Sequence, residues 1–282
     1  MVENRPLLTI LSHVILILGV AAVALPVWLA LVASTHPTSS FVSGTVPLWF
    51  GSEGIRSYLT MLGQGVSTSG TPPLGYMLFN SLVMALTITI GKIAISITSA
   101  FAICYFRFPG RQLAFWMIFI TLMLPVEVRI VPTFEVVANL GLLNSYAGLS
   151  IPLIASATAT FLFRQVFLTL PDELTEAARI DGAGPLKFFW DHALPLSRTN
   201  IAALSVILFI YGWNQYLWPL IVTTDERYYT IVMGIKRMAS VVDDIPRWNE
   251  VMATVVLAML PPVIVVIAMQ KLFVKGLVET EK

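Results

Sequence analysis

Leu170-Pro-Asp-Glu-Leu-Thr-Glu-Ala-Ala-Arg-Ile-Asp-Gly-Ala-Gly-Pro-Leu-Lys-Phe-Phe-Trp-Asp-His-Ala-Leu-Pro195 is a long polar segment set between two apolar runs. Its local chemistry predicts two short helices joined by a turn. Pro171 suits a first helical position, where the amide hydrogen it lacks would have no intrahelical partner. Asp172, Glu173 and Glu176 put negative charge near the positive helix N-terminus, and Arg179 sits near the other end. Gly182 can take the left-handed conformation that stops a helix. Pro185 then starts a second helix, and Pro195 ends it before the next apolar run. Glu176, Ala177, Ala178, Ile180 and Gly182 give a small, smooth surface with polar edges, suited to a groove in another protein. An ordinary surface hairpin packed on a membrane face would have the same chemistry.

Working outward, the flanking sequence is mostly apolar. Of 282 residues 57% are hydrophobic and 12% charged, and the mean hydropathy is +0.82. Soluble domains carry about 25% charged residues, so this chain has too little polar surface to coat a water-soluble particle. A helix crosses the hydrocarbon layer with about 20 apolar residues. Six spans are predicted, at about 7–33, 77–105, 112–132, 147–168, 199–222 and 250–272. The first is longer than the roughly 7–15-residue apolar core of a signal peptide and is read as retained. The fold class is an all-α membrane protein.

Lysine and arginine placement orients the spans. With both termini cytoplasmic, Arg5, Arg107, Arg111, Arg164, Arg179, Lys187, Arg198, Lys271, Lys275 and Lys282 collect inside. Arg56, Arg227, Lys236, Arg237 and Arg247 fall outside, in the longer loops where charge counts for less. An even number of spans agrees, and the 169–198 segment then faces the cytosol.

Glu176-Ala-Ala-Arg-Ile-Asp-Gly-Ala183, followed by Leu194-Pro195, resembles the EAA motif of binding-protein-dependent ABC importer permeases. Ser99-Ala-Phe-Ala102, Arg107-Phe-Pro-Gly-Arg111 and Tyr211-Gly-Trp-Asn-Gln-Tyr-Leu-Trp-Pro219 are similar to the carbohydrate-type subfamily. Glu3-Asn-Arg-Pro6, the run Phe115 to Ile130 and the run Ser156 to Gln165 resemble more narrowly the second permeases of sn-glycerol-3-phosphate importers. The resemblance implies a type I ABC importer permease fold with six transmembrane helices in the bacterial inner membrane. Residues 1–76 would hold the first helix and a periplasmic loop, 77–275 the permease core, and 276–282 a cytoplasmic tail. It implies a coupling helix seated on an ATPase, with Glu176, Ala177, Ala178, Asp181 and Gly182 at the contact. The implied partners are a homologous second permease, two copies of an ABC ATPase, a periplasmic solute-binding protein and the lipid bilayer. The implied solute is sn-glycerol 3-phosphate, with glycerophosphodiesters beside it.

The residues supply no chemistry for ATP. A phosphate-cradling loop needs G-x-x-x-x-G-K-[ST], whereas Gly91-Lys92 is followed by Ile93 inside an apolar run. No cofactor is expected, ATP being bound by the partner ATPase. His13, His36 and His192 lack metal-ligand spacing, Cys104 is a lone thiol, and no catalytic set can be assembled. No basic cluster points to nucleic acid.

Lys92, Glu127 and Arg129 fall within predicted spans, where a charge costs about 2.5–3.5 kcal/mol and must face a cavity or a partner. Pro125 and Pro132 suggest an unwound segment around Glu127 and Arg129. Snorkelling to the outer interface is one reading of that pair. Presenting positive charge to an anionic solute is the other, with Arg129 and Lys92 as its residues, since arginine matches phosphate geometry. Tyr211, Trp213, Tyr216 and Trp218 suit an interfacial belt or packing surface, and Asn214 and Gln215 could reach the cavity or the second permease. The mixed-charge loop 223–249 is a solvated connector or, by resemblance, a contact for the binding protein. Rival readings are a neutral-sugar permease of the same family, an ion-gradient-driven secondary transporter and a membrane-embedded enzyme.

Overall fold

Uninterrupted apolar runs leave the backbone one economical way to satisfy its polar groups in hydrocarbon, the α-helix. The computed structural model describes residues 6–42, 44, 48–65, 70–121, 126–241 and 246–279, and there the regular elements are helical with no β-strand. In chain order they are α1 (Pro6–Ala33), α2 (Arg56–Gly63), α3 (Leu74–Tyr105), α4 (Arg111–Ile120), α5 (Val126–Asn139), α6 (Tyr146–Ser150) and α7 (Ala157–Leu168). There follow α8 (Asp172–Ile180), α9 (Pro185–Phe188), α10 (Leu194–Leu196), α11 (Arg198–Trp213), α12 (Leu217–Val222), α13 (Ile231–Ala239) and α14 (Trp248–Glu279). Glu3, Asn4, Arg5, Pro125, Asp243, Asp244 and Lys282 lie outside the described residues, as do the side chains of Glu127, Lys271 and Lys275.

Among the described residues three helices are long and apolar enough to cross a membrane unaided: Leu7–Ala33, Leu74–Tyr105 and Trp248–Gln270. They fall on three of the predicted spans. Two bent pairs add candidates, Tyr146–Leu153 with Ala157–Leu168 at 48° and Pro185–Leu196 with Arg198–Trp213 at 70°. The predicted run 199–222 is divided between α11 and α12, and Asn214 ends the first of them. The unwinding expected at Pro132 is absent, because α5 continues through it. Pro132 withholds one amide from the ladder, and the Thr133 hydroxyl donates to the Arg129 carbonyl at 2.7 Å beside that gap.

The chain divides into two compact units, Met1–Gly75 with Gly234–Leu260 and Tyr76–Met233 with Pro261–Lys282. In the first, α1 is exposed on all sides along most of its length. Beyond it a polar cluster fastens the loop, with Thr38 Oγ1 donating to Asn249 Oδ1 at 2.9 Å and Asn249 Nδ2 donating to Ser57 Oγ at 3.1 Å.

In the second unit α3 is the spine. Near its start, Asn80 Nδ2 donates to the carbonyls of Arg227 and Tyr229 at 2.8 and 2.9 Å, and Tyr146 Oη donates to Asn80 Oδ1 at 2.7 Å. Ser81 Oγ accepts from the Ile231 amide at 2.8 Å. Asn144, at a left-handed φ of 53°, caps the same 223–231 segment by accepting from the amides of Thr224 and Asp225 at 2.7 and 2.9 Å. Midway, α3 meets α11 where a Cβ on Gly212 would lie 2.9 Å from Ala85 Cα, so the two backbones touch. The aromatic cluster read from the sequence is partly packing. Trp213 stacks on Phe209, and the buried Trp218 donates from Nε1 to the Gly148 carbonyl at 3.0 Å.

Candidate functional site

The hairpin forms as its sequence dictates, with two local refinements. Pro171 is the N-cap and Asp172 and Glu173 occupy the first turn of α8. At the other end Gly182 takes φ +72°, its amide donates to the Arg179 carbonyl at 3.0 Å, and the Ala183 amide donates to the Ala178 carbonyl at 2.8 Å. These paired bonds satisfy the last carbonyls of α8 and fix the turn. Pro195 does not stop the second helix. A π-helical turn over Phe189–Ala193 precedes it and α10 carries it, the wider turn relieving the clash between its ring and the carbonyl four residues back. The change of direction comes at Ser197, whose amide donates to both Ala193 and Leu194 carbonyls at 3.2 Å.

The hairpin is anchored by aromatic packing. Ala178, Phe188, Phe189 and Ala193 are buried with Ile97 and Phe101 of α3, Phe163 and Phe167 of α7 and Leu204 and Leu208 of α11. Phe101 has its ring centroid 4.9 Å from those of both Tyr105 and Phe189. Of the motif residues, Ala178 thus turns inward, while Glu176, Ala177, Asp181 and Gly182 are exposed together on the outer lip. A Cβ on Gly182 would meet nothing within 4 Å. Ile180, Leu186 and Trp190 are large apolar side chains 87%, 71% and 62% exposed. The sequence reading missed Leu186 and Trp190; their only signal is apolarity in a polar stretch.

Lys92 and Arg129 are brought together. They line one cavity of about 530 Å³ with Ser99, Thr121, Ser156, Thr158, Thr160 and Tyr211 among its walls. Lys92 is buried, 6% exposed, and its Nζ lies 3.7 Å from the centroid of the Tyr211 ring, a cation–π contact. Arg129 is exposed. The described lining holds two cations and no carboxylate, and Glu127 sits on α5 with its side chain outside the description. Asn214 and Gln215 do not line the cavity. Asn214 is exposed, and Gln215 Nε2 donates to the Tyr211 carbonyl at 3.1 Å. Tyr211 is the residue that sequence reasoning assigned to packing and that the fold places beside Lys92. No group of three or more metal-ligating side chains occurs among the described residues.

The chain is 57% identical over 282 residues, all of both chains, to the sn-glycerol-3-phosphate transport system permease protein UgpE of Salmonella typhi. The protein of the same name from Escherichia coli O157:H7 is also 57% identical over the full length of both. A chain of a bacterial ABC transporter involved in import of the acidic polysaccharide alginate superposes with a TM-score of 0.80 at 20% identity, covering 96% of this chain and 98% of that one. That likeness gives the fold, a type I ABC permease. Residues 92–279 match the family described as the binding-protein-dependent transport system inner membrane component. The chain belongs to that family, whose members are transport permeases rather than enzymes.

Proposed function

We propose that this chain is a permease subunit of an ABC importer that carries sn-glycerol 3-phosphate across the bacterial inner membrane. It crosses six times with both termini cytoplasmic, the crossings being α1, α3, the α4–α5 stretch, α6–α7, α11–α12 and α14. Residues 77–275 are the permease core and 169–198 its coupling loop. A homologous permease, two ABC ATPases and a periplasmic binding protein complete the assembly, and ATP is bound by the ATPases. The outer segment held by Asn80 and Asn144 faces the binding protein. The solute is supported by full-length likeness to permeases named for sn-glycerol-3-phosphate transport and by the two cations in one cavity.

The observation that carries the coupling role is the exposed lip. Glu176, Ala177, Asp181 and Gly182 stand clear of their own chain while Ala178 locks the hairpin to the aromatic core. A rigid knob with a smooth outer face transmits a push from a partner without deforming. Gly182→Asp is the test. Nothing in this chain lies near the added atoms, and although a side chain at φ +72° strains the turn, Asp is among the residues that tolerate that region, so the variant still inserts and solute uptake is lost because the ATPase no longer seats. Uptake at the wild-type rate with equal amounts of variant in the membrane would remove the assignment.

A further inference from the structure

We propose that Lys92, Arg129 and the N-terminus of α7 form a binding site for a dianionic phosphate monoester, with Tyr211 as the positioning residue that holds Lys92 in readiness. The inference rests on the reading of this chain as the permease of a phosphorylated solute.

Four observations converge on the cavity. Lys92 is more than nine-tenths buried and lines it, and among the described residues its ammonium makes no hydrogen bond or ion pair. An ammonium taken from water into a span needs an acceptor or a partner, and the face of Tyr211, 3.7 Å away, is a weak substitute for a real anion. Arg129 enters from α5 with a planar donor fork matched to phosphate oxygens. Ala155, Ser156, Ala157 and Thr158 bring the start of α7 to the same wall. There Ser156 Oγ accepts from the Ala159 amide and the Ser156 carbonyl from that of Thr160, so the Ala157 and Thr158 amides precede the first intrahelical bond. Such an end carries partial positive charge and favours phosphate.

A phospholipid headgroup has the same phosphate chemistry but lies at the wrong depth. Lys92 is 18 residues from one end of α3, Leu74, and 13 from the other, Tyr105. At about 1.5 Å per residue it is roughly 27 and 20 Å from the two ends, near the middle of the membrane. A solute in transit passes that level. Tyr211 then gives the ammonium a neutral perch between solutes, which a phosphate displaces without having to break an ion pair.

The complete importer, reconstituted in proteoliposomes with its ATPases and binding protein, is assayed with two solutes at about pH 8, where the second phosphate ionisation is complete. One is sn-glycerol 3-phosphate, a dianion, and the other glycerophosphoglycerol, a monoanionic diester. Lys92→Met and Arg129→Gln, both easier to insert than wild type, should each cut monoester uptake by about tenfold or more and diester uptake by about threefold or less. Lys92→Arg should recover most of the loss, and this recovery decides the matter if wild type carries the monoester alone. Tyr211→Leu should lower monoester uptake by about threefold, with recovery in Tyr211→Phe, which keeps the ring face. Undiminished uptake, equal losses for both solutes, or failure of Lys92→Arg to recover would overturn the site and leave the functional reading intact. So would loss of a co-purifying phospholipid from Lys92→Met with uptake preserved, which would make a headgroup the occupant. If wild type imports neither solute, both readings fall.

Discussion

The two ends of α3 solve the same problem by different means. At one end Phe101 and Tyr105 hold the 172–196 hairpin through edge-to-face ring contacts and a continuous apolar core. At the other, Asn80 and Ser81 hold the 223–231 segment through hydrogen bonds to its backbone. Burial of apolar surface, the larger part of that anchorage, is non-directional and loses energy in proportion to the volume removed. Buried amide bonds are directional, and deleting the side chain strands its partners. The hairpin is therefore a body that can be pushed as a unit, and the 223–231 segment a fixed platform whose shape depends on a few donors.

Three substitutions probe that contrast, and the first should have the largest effect. Phe101→Ala removes a ring at the centre of the hairpin's anchorage and should destabilise the purified protein by about 3–5 kcal/mol. Thermal unfolding in detergent measures it, and a loss under about 1 kcal/mol would mean that the hairpin is held by something other than this cluster. Asn80→Ala strands the Arg227 and Tyr229 carbonyls and the Tyr146 hydroxyl, a cost of about 1–3 kcal/mol. Hydrogen exchange should quicken across 223–231 and stay unchanged across 172–196; parallel changes in both would abolish the distinction between the two ends. The smallest effect belongs to Asp225→Asn. The Arg227 guanidinium, hydrogen-bonded to Asp225 at 2.6 Å, holds that carboxyl below its ordinary range. A depressed carboxylate contributes stability that is present above its unfolded pKa and fades as pH falls through the lowered folded value. The pair stands in solvent, so screening leaves it little weight. Variant and wild type should melt alike at neutral pH, and a clear difference would make this surface pair, rather than Asn80 and Asn144, the support of the platform.

Much of this is legible in the sequence. Continuous apolarity located α1, α3 and α14, because a bilayer-length run has one satisfactory backbone solution. The turn at Gly182 was legible for a similar reason: few residues but glycine take a positive φ comfortably, and charges flanked it with the right signs. What escaped the sequence was direction. In a helix that is apolar nearly all round, no periodicity says which side faces a cavity, so Tyr211 could not be separated from Trp213 two positions on. The break at 154–156 is marked only by Ser156, one small hydroxyl in an apolar run, and the π-turn that accommodates Pro195 depends on packing around Phe188 and Phe189. Asn80 and Ser81 are small polar residues at the edge of an apolar span, and their role needs partners about 150 positions away.

The contact between Gly212 and Ala85 sets a dimension of the molecule by omission. Because a hydrogen stands where other residues carry carbon, two long rods meet with nothing between them, and the phenol one position before that contact comes within reach of an ammonium about two turns along the opposite rod. A single methyl at 212 would wedge the rods apart and carry the phenol away from the ammonium, although neither charged residue had changed.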